Sequence, residues 1–265
     1  MSIAVISMVK NEADRYLRSA LSTWKEFAKE IVVYDDHSTD ATSKLLDGCT
    51  IVPPCQPEDA WGRESMPRKA LWQAALQSSC DWLMWLDADM IPASDPRHLE
   101  ARDVDALSFR LYDLWDWRTP MYRADGAWQA HVNPRIWMIR NPRFHTSDWI
   151  WHDRGIHCGH MPTNYLPSRV LLAPHEYSIL HYGYAESTER SSKAAQYASQ
   201  EAQLTGDEIL HARTIDAETY VAFPLPFTPQ WQLSHHKAAS QAASSAPRLS
   251  DKRKRFLTPI GSPSK

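Results

Sequence analysis

The chain has 265 residues, 43% of them hydrophobic and 23% charged, with a formal net charge of -3. That length suits one sizeable domain, with or without a tail, and the composition supplies an ordinary apolar core. The slightly acidic balance excludes a chain built as a whole around a positive field for nucleic acid or another polyanion.

In chain order, "SIAVISMV" (2–9) is β-branched and apolar and predicts a buried strand. "NEADRYLRSALSTWKEF" (11–27) predicts a helix capped at Asn11, with Leu17, Ala20, Leu21 and Trp24 at helical spacing. "EIVVYDD" (30–36) predicts a second strand, "STDATSKLLDG" (38–48) a short helix stopped by Gly48, and "CTIVPP" (49–54) a third strand. "ESMPRKALWQAALQSS" (64–79) predicts a helix that tolerates Pro67 in its first turn, and "DWLMWL" (81–86) a fourth strand. Alternation of this kind means a parallel sheet covered by helices, with ligands beyond the carboxyl ends of the strands.

From about residue 104 the rhythm changes. "VDALSFRLYDLW" (104–115) reads as one more strand and "PRIWMIRN" (134–141) as another. Residues 141–175 are rich in His, Pro, Gly and Trp and read as loops with short strands. "STERSSKAAQYASQEAQLTG" (187–206) predicts a helix, and residues 235–265, low in complexity and carrying "DKRKR", a mostly disordered tail. No apolar run approaches a membrane span, and the first apolar stretch meets acidic residues too soon for a secretory leader, so a cytoplasmic chain without stable membrane insertion is expected. Cys49, Cys55, Cys80 and Cys158 form no CxxC pair and are expected as free thiols.

Three of the first four strands run out into polar residues: "KNE", "DDHSTD" and "DAD". In a parallel sheet these ends share one rim, which brings Asp35, Asp36, Asp87 and Asp89 to one crevice. Carboxylates so placed repel one another unless a cation joins them, and their hard oxygens suit Mn2+ or Mg2+, which in turn binds a diphosphate. A lone D-x-D is more often a solvated turn; here it gains weight from the apolar strand before it and the three strand–helix units before that.

"ISMVKNEADRYLRSALSTW", "EIVVYDDHSTDAT" and "RKALWQAALQSSCDWLMWLDADM" resemble the nucleotide-binding half of the family 2 glycosyltransferases, and "ILHYGYAESTERSSKAAQY" resembles the closing segment of a subgroup of that family. The resemblance covers roughly residues 1–200. It implies an α/β GT-A-type fold: a mostly parallel central sheet flanked by helices, with a loop-rich acceptor half. The division expected is 1–103 for nucleotide-sugar binding and 104–228 for the acceptor, with 229–265, which has no match in the family, as a low-complexity basic tail. The resemblance also implies transfer of a sugar from a nucleoside diphosphate, expected to be UDP, to a hydroxyl acceptor with inversion.

Carried over residue by residue, the resemblance places Ser7, Val9, Asn11 and Glu12 along the base and ribose. Asp36 meets the base with Asp35 beside it, and Arg68 orders the crevice or the diphosphate. Asp89 becomes the direct metal ligand, Asp87 a ligand or a ribose contact, and His181 a third metal ligand from a late loop. The chain departs from the pattern at Lys69, where many relatives carry Asn, and at Cys158, which follows His157 where Glu is expected. Asp153 is therefore taken as the general base, with Asp113, Asp116, Asp148 and His152 as alternatives. Trp115, Asp116, Trp128, Trp151 and His157 are candidates for the sugar and acceptor pocket; for the tryptophans, core packing is the competing role. No Cys-His-Asn arrangement supports Cys158 as a nucleophile, and "HCGH" fits no standard zinc spacing.

The acceptor classes consistent with this reading are a glycan, a lipid-linked sugar, or DNA with hydroxymethylated bases, the last suggested by the basic tail. Two other functions compete. A nucleotidyltransferase would need the glycine-rich phosphate loop that "SMVKNEAD" lacks, and a non-catalytic carbohydrate-binding protein would bind a nucleotide sugar without turning it over.

Overall fold

The computed structural model describes residues 1–56, 64–101, 103–143, 148–152, 158–199, 206–215, 217 and 219–234. The expected Asp153, His157 and the 235–265 tail lie outside the described residues. The strands are β1 (Ile3–Val9), β2 (Glu30–Asp35), β3 (Thr50–Val52), β4 (Trp82–Trp85), β5 (Met90–Pro92), β6 (Ala106–Phe109), β7 (Leu111–Asp116), β8 (Met121–Arg123), β9 (Arg135–Arg140), β10 (Val170–Leu172), β11 (Ile179–His181) and β12 (Ala222–Pro224). The helices are α1 (Leu17–Phe27), α2 (Ser65–Leu76), α3 (Ser187–Ala198) and α4 (Gly206–Thr214).

Seven strands form the main sheet in the order β10-β6-β9-β4-β1-β2-β3. The ladders β1–β2, β1–β4, β2–β3 and β6–β10 are parallel, while β9 runs antiparallel to both β4 and β6. The fold is thus mixed α/β with a mostly parallel central sheet, as the resemblance implies. β1 is an interior strand, between β4 and β2, and is buried along its length apart from Met8, the pattern of a strand covered on both faces. α2 packs against β1, β2 and β3, and α1 against β5. Among the described residues, no helix is long and apolar enough to cross a membrane.

A second sheet of five strands has the order β12-β8-β7-β11-β5. The chain leaves the main sheet for the second at three places. β4 gives way to β5 through Leu86–Asp89, β6 to β7 through Arg110, and β10 to β11 through 173–178. The first ninety residues and those after 104 therefore share both sheets.

Local structure departs from the sequence reading in three places. The first helix starts at Leu17 rather than near Asn11. The amides of Asn11, Glu12 and Ala13 instead bond to Ser38 Oγ, Thr42 Oγ1 and Asp40 Oδ2 on the loop after β2. The expected helix over 38–48 is only a 3-10 turn at Thr42–Leu45, because those same side chains are spent on the first loop; it ends at Leu46, and Gly48, at φ +79°, lies in the turn beyond. The single strand expected over 104–115 is broken at Arg110 and divided between the sheets, and the Arg110 carbonyl accepts from Ile179 N.

Trp24 ties helix to sheet. It is fully buried, and its Nε1 donates to the Met90 carbonyl at 3.0 Å, fixing α1 over the start of β5. Trp24→Ala is expected to cost about 3–5 kcal/mol, the scale for truncating a buried large aromatic. Urea unfolding followed by circular dichroism measures it, and a loss below about 1 kcal/mol, within the range of surface changes, would show that this anchor is dispensable.

Candidate functional site

The carboxyl ends of β1, β2 and β4 lie on one rim because β1 pairs in parallel with both neighbours. Asp36 N donates to Val9 O at 2.8 Å and Leu86 N to Ile6 O at 3.1 Å, so Asp36 and the Asp87–Asp89 turn flank the end of β1 on either side. The loops here are held by short polar side chains: Asn11 Oδ1 accepts from Thr39 N at 2.8 Å, and Asp35 Oδ1 from Ser38 N at 3.0 Å. Asn11 and His37 both have left-handed backbone, at φ 52° and 57°. Such conformations cost energy outside glycine and gather where loops are shaped for a ligand.

Asp36, Asp87 and Asp89 on the rim each have a cation from the chain itself. Lys10 Nζ is 3.9 Å from Asp36, which is buried. Arg68, also buried, bonds Glu64 at 2.7 Å and reaches Asp87 at 3.7 Å. Asp89 has Lys193 Nζ 3.5 Å from Oδ2 and His181 Nε2 3.5 Å from Oδ1. These cations offset part of the repulsion among the three carboxylates. Burial by itself would raise the pKa of Asp89, but Lys193 and His181 outweigh it and hold the carboxyl well below the usual range.

His181 is placed by pairing rather than by a loop. It ends β11, which pairs it with Met90 of β5 on one side and with Asp113 of β7 on the other. That register sets the imidazole between Asp89, the residue before Met90, and Asp113, whose Oδ1 is 2.7 Å from His181 Nδ1. Burial would lower the His181 pKa; attraction to Asp89 and the bonds to Asp113 and Asp89 prevail and raise it to about 9. The turn after β11 is closed by Tyr182 N donating to Asp89 O at 2.8 Å.

Gly183 then leaves room where these groups converge. A Cβ there would stand 2.6 Å from both Asp89 Oδ2 and His181 Nε2, and would collide with Lys193 Nζ. A carboxylate oxygen and an imidazole nitrogen around a cradle that only glycine leaves open suit a divalent ion, and Lys193 shows that the spot attracts positive charge. Among the described residues, no group of three or more His, Cys, Asp or Glu is arranged to hold a metal. Asp89 and His181 would thus be two protein ligands, with the remaining positions left to a bound ligand and water.

Several buried polar atoms nearby have no hydrogen-bond partner: Ser7 Oγ, Glu12 Oε2 and Glu186 Oε1. Buried groups of this kind are usually satisfied, so each is free to bond a polar ligand that reaches it. Glu12 is pushed up to about 8, by burial first, even though Arg15 NH1 lies 2.6 Å from its Oε1. Arg15 also grips Glu189 at 2.9 Å, which joins α3 to the β1 loop.

The structure thus brings together Ser7, Val9, Asn11, Glu12, Asp35, Asp36, Arg68, Asp87, Asp89 and His181 along the rim. Trp115 and Trp128 stand apart, buried in an aromatic cluster with Tyr184 and Ile215, where Arg123 stacks 4.6 Å over Trp115 and Trp128 Nε1 donates to Thr214. Their ring faces are occupied by packing. Trp151 is half-buried, 6.4 Å from Trp72. Asp116 is half-buried and accepts from Arg118 N. Asp113, one alternative for the base, is engaged by His181. Cys158 is buried and its thiol is pushed up to about 12 by that burial, so it is protonated and inert. Sequence reasoning missed Glu64, Lys193 and Gly183. A Glu four residues before Arg68 on one helix was a readable signal for the first; nothing local marks the other two.

Residues 4–101 match the model of Glycosyl transferase family 2. The search of curated proteins found no match. Among solved structures the chain is similar to S. aureus TarS, at 13% identity and a TM-score of 0.46, over 82% of this chain and 42% of that one. It is similar to TarS 1–349 in complex with UDP-GlcNAc at 14% identity and a TM-score of 0.47, over 82% and 71%. Glucosyl-3-phosphoglycerate synthase from Mycobacterium tuberculosis, in complex with Mn2+, UDP and glucosyl-3-phosphoglycerate, is similar at 19% identity and a TM-score of 0.29, over 42% and 44%. The chain spans less than half the length of full TarS and of the synthase.

If the cradle at Gly183 is a binding position, Gly183→Ala fills it. The expected result is a loss of divalent-ion affinity of about tenfold or more, the scale for disturbing a metal's surroundings, with an unchanged circular dichroism spectrum. Unaltered Mn2+ titration by this variant would mean that the space has no part in binding.

Proposed function

We propose that this chain, whose residues 4–101 match the model of Glycosyl transferase family 2, moves a sugar from a nucleoside diphosphate to a hydroxyl acceptor with the help of a divalent ion. The observation that carries the reading is the convergence of Asp89 and His181 on the cradle at Gly183, at the rim where the matched segment ends its strands. UDP is the proposed nucleotide and inversion the proposed stereochemistry, both by family resemblance.

In this mechanism Asp36 and the β1 loop, from Ser7 to Glu12, hold the base and ribose, with the unpartnered Ser7 Oγ available to bond the ligand. Asp89 and His181 would hold Mn2+ or Mg2+, and Asp87, steadied by Arg68, would contact the ribose or the ion. When bound, the ion supplies charge neutralisation for the departing diphosphate, a contribution of several kcal/mol on the usual scale. His181 would hold the ion through Nε2 of a neutral imidazole. Lys193 and Arg15 keep further positive charge at the same edge.

The acceptor hydroxyl needs a base, and Asp153 is the proposed one. Cys158 occupies the place where relatives carry Glu, which leaves that family acid without a counterpart. The acceptor is a glycan or a lipid-linked sugar, or DNA carrying hydroxymethylated bases. The location proposed is the cytoplasm.

A screen of nucleotide sugars with Mn2+, scored by release of nucleoside diphosphate, tests the reading. Asp89→Asn is expected to lower hydrolysis about a hundredfold or more, and chelation should do the same to the unaltered chain. Hydrolysis that survives both treatments would remove the metal; release of pyrophosphate would point to nucleotidyl transfer; binding without any turnover would point to a carbohydrate-binding protein. Asp153→Asn is expected to lower transfer by about 10²–10⁴-fold with donor affinity intact, and unchanged turnover would move the base elsewhere.

A further inference from the structure

Asp113 is a buried carboxylate to which the mechanism above gives no task. It is 7% exposed, and it faces His181 across the parallel ladder of β7 and β11. The contact is short, 2.7 Å from Asp113 Oδ1 to His181 Nδ1, while the other ring nitrogen, Nε2, lies 3.5 Å from Asp89 Oδ1. The remaining groups around the ring are the Tyr184 side chain, packed edge-on at 5.1 Å between centroids, and the Lys193 ammonium beyond Asp89.

A neutral imidazole has one N–H and one lone pair, and the partner of one nitrogen decides which is which. A carboxylate accepts but does not donate, and Asp113 at 2.7 Å is far closer to Nδ1 than Asp89 at 3.5 Å is to Nε2, so the proton of a neutral His181 stays on Nδ1 and the lone pair on Nε2. Nε2 is the nitrogen that faces Asp89 and the Gly183 cradle. The pairing of β11 with β7 and β5 makes this orientation a consequence of strand register and not of a mobile side chain.

We infer that Asp113 is a positioning residue: it fixes His181 with Nδ1 protonated and Nε2 turned, lone pair outward, toward Asp89 and the divalent ion. This rests on the metal reading proposed above. It also gives the second sheet a part in donor binding, because Asp113 belongs to β7 and not to the matched segment.

The test is Mn2+ titrated into the full chain, with free ion read by electron paramagnetic resonance. Asp113→Ala is expected to weaken Mn2+ binding about 10–100-fold. Asp113→Asn keeps an acceptor oxygen and should recover most of that loss. The Asp113→Ala/His181→Ala double variant should bind no more weakly than His181→Ala alone, because one acts through the other. Additive losses, or wild-type affinity in Asp113→Ala while His181→Ala is impaired, would overturn the inference. Should Asp113→Ala fail to fold, 15N shifts of the His181 ring in the Mg2+-loaded wild-type chain decide the matter: Nδ1 protonated supports it and Nε2 protonated refutes it. Failure of the underlying metal reading looks different. In that case the wild-type chain binds no Mn2+, alone or with UDP, or binds it equally well after Asp89→Asn and His181→Ala.

Discussion

The rim is organised around a buried carboxylate that stays charged. Asp89 is 7% exposed, and removing such a group from water costs several kcal/mol unless it is paired. Here it is paired twice, through Lys193 of α3 and His181 of β11, two elements that the chain builds about a hundred residues later. The charge at the end of β4 therefore acts as a clasp. It draws the late segments onto the early sheet, and removal of any one member leaves the others buried without balance.

The clasp sits where the chain leaves one sheet for the other. β4 belongs to the main sheet and β5 to the second, and only Leu86–Asp89 separates them. The change of sheet places the D-x-D turn beside β11, which enters the second sheet between β5 and β7. His181 thus meets Asp89 and Asp113 through backbone pairing. Tyr182 N, bonded to Asp89 O, and Gly183, which has no side chain to obstruct, complete the approach. A ligand at this spot would contact both sheets at once.

The alternation of apolar strands with amphipathic helices made the first ninety residues readable, because a parallel sheet leaves that signature in local sequence. The D-x-D pair stood out for the same reason, whereas His181 was marked only by the family resemblance. Errors arose where side chains serve a distant loop. Asn11 looks like a helix cap, yet the amides that follow are satisfied by Ser38, Asp40 and Thr42, so the helix waits until Leu17. "VDALSFRLYDLW" has the composition of one strand, and its division between two sheets is a tertiary fact. Asp113 and Lys193 could not be assigned in advance, since their meaning depends on strand register and helix placement over 68 and 104 residues of separation. Trp115 and Trp128 have the residue type that stacks on sugars and the burial of core; composition does not distinguish the two.

The most direct measurement is anomalous diffraction from crystals grown with Mn2+ and UDP. A metal at the clasp gives a peak at ligating distance, about 2 Å, from Asp89 and from His181 Nε2, with diphosphate oxygens completing its shell. Nucleotide bound on the rim without a peak between those two side chains, or a peak on other residues, would contradict the claim that this charged turn exists to hold a cation.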